Sequence, residues 1–253
     1  MNKEVIQAMV ELHLKELKLP GIRGAYRAIL RETREESHDP LKFLAACLSV
    51  EVETRKENRL RARLKEARFS TLKALSDYDF AAIPKLNKEK IIFLCGGDFV
   101  KDRENAVLVG NPGTGKTHIA TSIGLGAIET GLRVRFVGAL NLSQELEQAR
   151  AEHRLPRYIR SYDKFDLVII DELGYLGLGS GGGLLFQFLA ERYERKSVVI
   201  TTNLEFSRWV EVFSDPALTT ALLDRLTHHC HVIAFEGESY RFRQSQEASQ
   251  KVT

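Results

Sequence analysis

Three features of the 253-residue sequence predict an α/β fold. Short apolar runs alternate with helix-like segments from residue 89 onward, one run leads straight into a glycine-rich loop, and another ends in paired acids. Short apolar strands separated by helices imply a parallel sheet covered by helices on both faces. Residues 1–68 contain no such run, so a small all-helical N-terminal domain precedes the sheet. Residues 69–88 read as a linker packing on the domain that follows, and 89–253 as the α/β domain itself.

In the first segment Val5, Met9, Leu12, Leu17 and Leu19 keep rough helical spacing until Pro20-Gly21 breaks the run. A second helix is expected over 22–36, with Tyr26, Ile29 and Leu30 as its apolar face, ending at Ser37-His38-Asp39-Pro40. A third is expected from about 41 to 68, anchored by Phe43, Leu44, Leu48 and Val52 in its first half and basic in its second. Strands are expected at 106–109, 133–137, 166–170, 197–201 and 231–235. Helices are expected at 115–130, 140–152, 184–195 and 216–227. The glycine-rich tract 177–183 reads as a flexible surface loop without chemistry of its own.

The composition, 43% hydrophobic and 28% charged, is that of an ordinary globular chain. No apolar run approaches the roughly 20 residues needed to span a bilayer. The opening MNKEVIQAMVELHLKEL mixes acids and bases and lacks the apolar core and cleavage site of a signal peptide, so a cytoplasmic location is expected. Cys47, Cys95 and Cys230 are far apart and odd in number, which is no disulfide framework.

Gly110-Asn111-Pro112-Gly113-Thr114-Gly115-Lys116-Thr117 matches the full phosphate-loop pattern, with an apolar strand before it and the helix THIATSIGLGAI, which includes His118, after it. The glycines let the backbone N–H groups curl toward phosphate oxygens, and the helix N-terminus adds its positive end. Lys116 then reaches the β- and γ-phosphates of ATP, and the Thr117 hydroxyl is a Mg²⁺ ligand. Asp166-Leu167-Val168-Ile169-Ile170 is a buried strand delivering Asp171, a second candidate for the Mg²⁺, to the carboxyl edge where ligands bind in open sheets. Glu172 beside it is the candidate base for the attacking water. Ser197-Val198-Val199-Ile200-Thr201 is a third apolar strand, running through Thr202 to deliver Asn203, which either bridges water and γ-phosphate or merely starts a turn. His228-His229-Cys230-His231 is not read as a metal site, because consecutive strand side chains face opposite ways.

Charge is also uneven. Between residues 55 and 73 stand eight bases, Arg55, Lys56, Arg59, Arg61, Arg63, Lys65, Arg68 and Lys73, against Glu57 and Glu66. That pattern suits a phosphate backbone, or else a solvated face or a surface for acidic partners. If about six of these bases each neutralise a phosphate, log affinity falls with log salt at a slope of about −5. No base-reading motif is evident, so weak sequence preference is expected.

The segments LKLPGIRGAY, ENRLRARLKEARF, LSDYDF, GNPGTGKTH, DLVIIDELGYL, LLFQFLAERYERKSVVITTNLEFSRW and GESYRFRQS resemble those of the IstB family, the ATPase helpers of bacterial insertion-sequence transposition. The chain is similar more distantly to the helicase loader DnaC. The resemblance spans nearly the whole sequence and departs from it at GLGSGGG. It implies an AAA+ P-loop ATPase of the initiator and helicase-loader clade, with ATP and Mg²⁺ bound by 110–118 and Asp171. Lys116, Glu172 and Asn203 would carry the chemistry, and Arg225 would act as an arginine finger. The alternative for Arg225 is a surface arginine paired with Asp224 or Glu211. Arg241 and Arg243 are candidates for a second sensor, and Phe80 and Ile83 for walls of the adenine pocket. Arg150, Arg154, Arg157 and Arg160 fall where this clade inserts a DNA-facing helix. The resemblance further implies a homo-oligomer with active sites between subunits, assembling on duplex DNA and recruiting a cognate transposase. The competing expectation is a replicative helicase loader of the DnaC type.

Overall fold

The computed structural model describes residues 2–36, 39–174, 181–213 and 215–237. They form two compact units, 1–62 and 63–253.

The first unit holds α1 (Lys3–Glu16), α2 (Pro20–Glu36) and the first part of α3 (Pro40–Ala67). Ile22, Tyr26 and Ile29 of α2 pack on Cys47 of α3, with Val10, Leu14, Leu19, Phe43 and Val50 around them. Pro20-Gly21 does not break the chain as expected. Pro20 opens α2, where its missing N–H is no loss, and the turn falls at Leu17–Leu19 instead, with Lys18 at φ 54°. Gly21 sits against α3, where a Cβ would lie 2.6 Å from Thr54 Oγ1. The carboxylate of Glu51, buried at 4% exposure, accepts the Ile22 N–H at 3.1 Å and holds Arg55 Nε at 2.8 Å. This capping contact turns the 47–50–51–54 face of α3 toward α2. Leu44, Leu48 and Val52, expected to anchor α3, therefore lie exposed, as do Val5, Met9, Leu12 and Leu17 of the first segment.

The second unit is a five-stranded, wholly parallel sheet of order β2-β3-β4-β1-β5. Its strands are β1 (Asn105–Gly110), β2 (Val134–Gly138), β3 (Leu167–Leu173), β4 (Ser197–Thr202) and β5 (Cys230–Phe235). One face is covered by α4 (Lys88–Gly96), α5 (Asp98–Lys101) and α6 (Lys116–Glu129), and the other by α7 (Ala139–Ala151), α8 (Leu155–Arg160), α9 (Gly181–Arg192), α10 (Val210–Phe213) and α11 (Pro216–His228). The inner strands β1, β3 and β4 read as largely apolar runs because both faces are buried, whereas the edge strands β2 and β5 carry Arg135 and His231. Leu167 and Ile169 enter the α4–α6 layer, while Val168 and Ile170 enter the layer built on Leu142, Leu146, Phe188 and Trp209.

Three local features of this unit have physical causes. The helical stretch 140–162 divides into α7 and α8 at His153, whose φ of 55° ends the first helix. Helices α4 and α5 turn about Gly97, at φ 79°. Finally, Gly181–Gly183 is not surface loop but the first turn of α9, and a Cβ on Gly182 would lie 2.3 Å from the Val212 carbonyl. Residues 177–180 of that tract lie outside the described residues.

Ionic contacts tie the amino edge of this unit. Glu66, in the last turn of α3, accepts from Arg133 Nη2 at 2.6 Å and Lys164 Nζ at 2.8 Å. The hydrogen bond from Arg133, set against partial burial, holds its carboxyl down at about 2 from 4.5. Asp166 accepts from Lys196 Nζ at 2.7 Å and the Arg133 N–H at 3.0 Å. Arg192, 4% exposed, donates to the carbonyls of Tyr162, Phe165 and Ser197.

Gly182→Ala is expected to cost about 1–3 kcal/mol, because backbone rather than a movable side chain blocks the new methyl; denaturant melts check it. Glu66→Gln is expected to cost about 1–2 kcal/mol at neutral pH, the pair being partly exposed. A carboxylate with a lowered folded pKa stabilises above its unfolded value and loses that contribution as pH falls. The gap between wild type and Glu66→Gln should therefore close between pH 4.5 and about 2, as read by melts across that range.

Candidate nucleotide site

The carboxyl edge of the sheet opens into a cavity of about 400 Å³. The loop between β1 and α6 forms its floor. Gly115, at φ 91°, could not carry a side chain, since a Cβ would meet the Tyr78 ring at 2.6 Å. Within the loop, Lys116 Nζ donates to the carbonyls of Gly110 and Asn111, each at 2.7 Å, and Thr114 Oγ1 donates to Asn111 at 2.8 Å. Pro112, Gly113, Gly115, Lys116, Thr117 and His118 line the cavity. Glu172 and Asn203 line it as well, so the loop and the ends of β3 and β4 converge there.

Strand β3 pairs regularly with β4 as far as Ile170 opposite Ile200, and pairing resumes with Leu173 opposite Thr202. Asp171 and Glu172 thus share a single partner residue, Thr201, in a β-bulge. Glu172 takes φ 62°, a left-handed conformation costing of order 1–3 kcal/mol for a residue with a side chain. The bulge re-aims side chains that a regular strand would send to opposite faces. Asp171, 8% exposed, stays inside, with Thr117 Oγ1 at 3.0 and 3.2 Å from its two oxygens and Thr201 Oγ1 at 2.5 Å. Glu172 projects as an exposed carboxylate in the cavity wall. Thr202 bonds instead to main chain, donating to the Leu173 carbonyl at 2.8 Å and accepting the Leu204 N–H at 3.0 Å, which shapes the turn that presents Asn203. Thr117 and Asp171 offer hard oxygen donors within 3.0 Å of each other, a set that fits Mg²⁺.

The opposite wall comes from the segment before α4. Two short 3₁₀ turns, Leu75–Asp77 and Phe80–Ala82, lie along the start of α6. The Lys73 carbonyl accepts from Ser122 at 3.0 Å, and the Ala74 carbonyl from His118 Nε2 at 2.8 Å. Tyr78 donates to the Thr114 carbonyl at 3.1 Å. Burial pushes its phenol up to about 12, so the proton stays on it. Tyr78, Asp79, Ala82 and Ile83 line the cavity. Phe80, proposed with Ile83 as an adenine wall, is not among the lining residues; its ring packs edge-on against Tyr78 at 4.9 Å. Tyr78 and Thr201 were not singled out from sequence. Two polar residues closing the apolar strand 197–202 were the available sign of the second, and nothing local marked the first. Lys73, grouped by sequence with the basic run, lines this cavity instead.

The other candidates lie elsewhere. Arg225, on α11, is exposed beside Asn105, Arg192 and Lys196, where β1 and β4 begin, at the end of the sheet opposite the chain's own phosphate loop. Its suggested partner Glu211 is held by Arg208 at 2.8 and 3.0 Å. Along α3, Arg55, Lys56, Arg59, Arg61 and Lys65 are exposed and Arg63 half-buried, with Arg68 exposed just beyond the helix. Arg55, Lys56 and Arg61 pair with Glu51, Glu53 and Glu57. Arg150, Arg154, Arg157 and Arg160 are exposed on α7, α8 and the turn between them. Arg241 and Arg243 lie outside the described residues.

Comparison with known proteins agrees with this architecture. Residues 12–248 match the family described as IstB-like ATP binding protein. An insertion-sequence ATP-binding protein of Sinorhizobium fredii is 36% identical over 98% of this chain and 84% of its own length. The IS21 ATP-binding protein of Pseudomonas aeruginosa is 35% identical over 94% and 91%. Among solved structures, AMPPCP-bound DnaA of Aquifex aeolicus is 17% identical with a TM-score of 0.56 over 73% of this chain and 56% of that one. DnaI is 16% identical with a TM-score of 0.52 over 66% and 89%. These structural likenesses give the fold, a parallel α/β sheet covered by helices on both faces. By the near-complete span of the match and of its relatives, the chain belongs to the IstB-like family of insertion-sequence ATP-binding proteins.

Proposed function

We propose that this chain hydrolyses ATP, multimerises on duplex DNA, and there remodels the DNA and recruits a transposase. The observation that carries the reading is the convergence of Lys116, Thr117, Glu172 and Asn203 on one cavity, with Asp171 held behind Thr117. Lys116 would bind the β- and γ-phosphates. Thr117 and Asp171 would hold Mg²⁺, which neutralises phosphate charge when bound. Glu172 would take a proton from water as the water oxygen bonds to the γ-phosphorus and the bond to the β-phosphate oxygen breaks, giving ADP and phosphate. Asn203 would orient that water.

Arg225 is too far round the sheet to serve its own chain's site, which suits a finger supplied to a neighbouring subunit and worth roughly 10³–10⁵ in rate. The exposed bases of α3, α7 and α8 supply phosphate-binding surface, and the insertion-sequence names of the relatives support the transposition role.

Lys116→Ala is expected to abolish ATP binding and DNA assembly together. Tyr78→Ala, which removes a cavity wall, is expected to weaken nucleotide binding about tenfold, and Tyr78→Phe only a few-fold, by titration with a fluorescent ATP analogue. Glu172→Gln should bind ATP and assemble yet stop turning over. The particle mass of Glu172→Gln on a duplex fragment, with ATP and without nucleotide, tests the whole reading. A large ATP-dependent assembly is expected; a particle that stays monomeric, or assembles only on single strands, would overturn it in favour of a helicase loader.

A further inference from the structure

The bulge that brings Asp171 and Glu172 together has one residue opposite both of them. Thr201 is 1% exposed, and its single hydroxyl is committed in two directions. It accepts the Glu172 N–H at 2.9 Å and donates its only proton to Asp171 Oδ1 at 2.5 Å, a length typical of a hydroxyl bonded to a carboxylate. The neighbouring Thr202 is equally buried and equally bonded, but only to main-chain groups. Thr201 is therefore the β4 hydroxyl that reaches functional groups rather than only shaping the backbone.

We propose that Thr201 is a positioning residue for ATP hydrolysis, acting on both acids through one hydroxyl. The inference rests on the ATPase reading above. By occupying Oδ1, Thr201 fixes the rotation of the Asp171 carboxylate and leaves Oδ2 as the oxygen less engaged, 3.2 Å from Thr117, for the magnesium side of the site. By taking the Glu172 N–H, it pins the left-handed φ of 62° that aims the Glu172 carboxylate into the cavity. No second bond from another side chain to the Glu172 N–H is needed, since an amide has one hydrogen to give. Removing the hydroxyl loosens the metal-side acid and the water-side acid at once, while the phosphate loop and the wall at Tyr78 keep their own hydrogen bonds.

The test compares Thr201→Val, which keeps the shape, with Thr201→Ser, which keeps the hydroxyl. Binding of a fluorescent ATP analogue is titrated with and without Mg²⁺, and turnover is measured alongside. Thr201→Val is expected to bind the analogue without Mg²⁺ within about threefold of wild type, to lose about 10–100-fold of the affinity gained on adding Mg²⁺, and to lose kcat by a similar factor, with KM for Mg–ATP rising in step with the lost affinity. Thr201→Ser is expected to return both quantities to within about threefold of wild type. If Thr201→Val keeps the Mg²⁺ gain, or if Thr201→Ser is as impaired as Thr201→Val, the hydroxyl is not the positioning group and the proposal falls. Should Thr201→Val fail to fold by circular dichroism, Thr201→Ala, which leaves room for a water, replaces it against Thr201→Ser with the same criteria. A wild-type protein that binds Mg²⁺–nucleotide but never turns it over would sink the ATPase reading by itself, and the Mg²⁺ gain would still decide the role of Thr201.

Discussion

A strand buried on both faces that must end in a charge sets the terms for the α/β unit. Residues 167–171 of β3 have no exposed member, and the last of them is an aspartate. A carboxylate so placed is tolerable only if its oxygens are bonded. The first turn of α6 and the end of β4 answer with the hydroxyls of Thr117 and Thr201. Three elements far apart in sequence are thereby drawn to one point, and the phosphate loop, which is the approach to α6, is placed with them.

The two ends of the sheet are built differently. At the amino end, Asp166 links the start of β3 to Arg133 and Lys196, Asn105 accepts the Val198 N–H, and the guanidinium of Arg192 closes three carbonyls. At the carboxyl end the strands pair to their last residues, and the cavity opens beyond them.

What the sequence made legible follows the range of the forces involved. The phosphate loop is local: its residue types, the strand before it and the helix after it specify its conformation with little outside help, and the paired acids and Asn203 follow from apolar runs that end in polar groups. Thr201 and Tyr78 were missed because their roles come from partners 29 to 36 residues away, namely Glu172, Asp171 and Thr114. In the helical unit the face expected for α2 is the one that packs, with Tyr26 and Ile29 buried, whereas the faces expected for the first helix and for α3 lie exposed. Helix α3 carries apolar residues on more than one side, and the choice between them was made by Glu51, a buried acid capping α2. Periodicity sees only hydrophobicity and is blind to such a cap. Gly181 and Gly182 illustrate the same limit, since glycine in a helix is read as looseness when here it lets α7 and α10 approach α9 closely.

The segment from Phe69 to Ile83 is more than a connector. The Phe69 ring lies where a Cβ on Gly124 would meet it at 2.8 Å, and the segment goes on to accept bonds from α6 and to lay Tyr78 over the phosphate loop. Anyone trimming the gene to a nucleotide-binding fragment would be tempted to start at α4, where the familiar alternation of strands and helices begins. Such a fragment would keep every residue of the signature loop and lose one side of the vessel that holds the nucleotide, along with the greasy cover of α6. The useful cut lies upstream, ahead of Arg63, where the second compact unit begins.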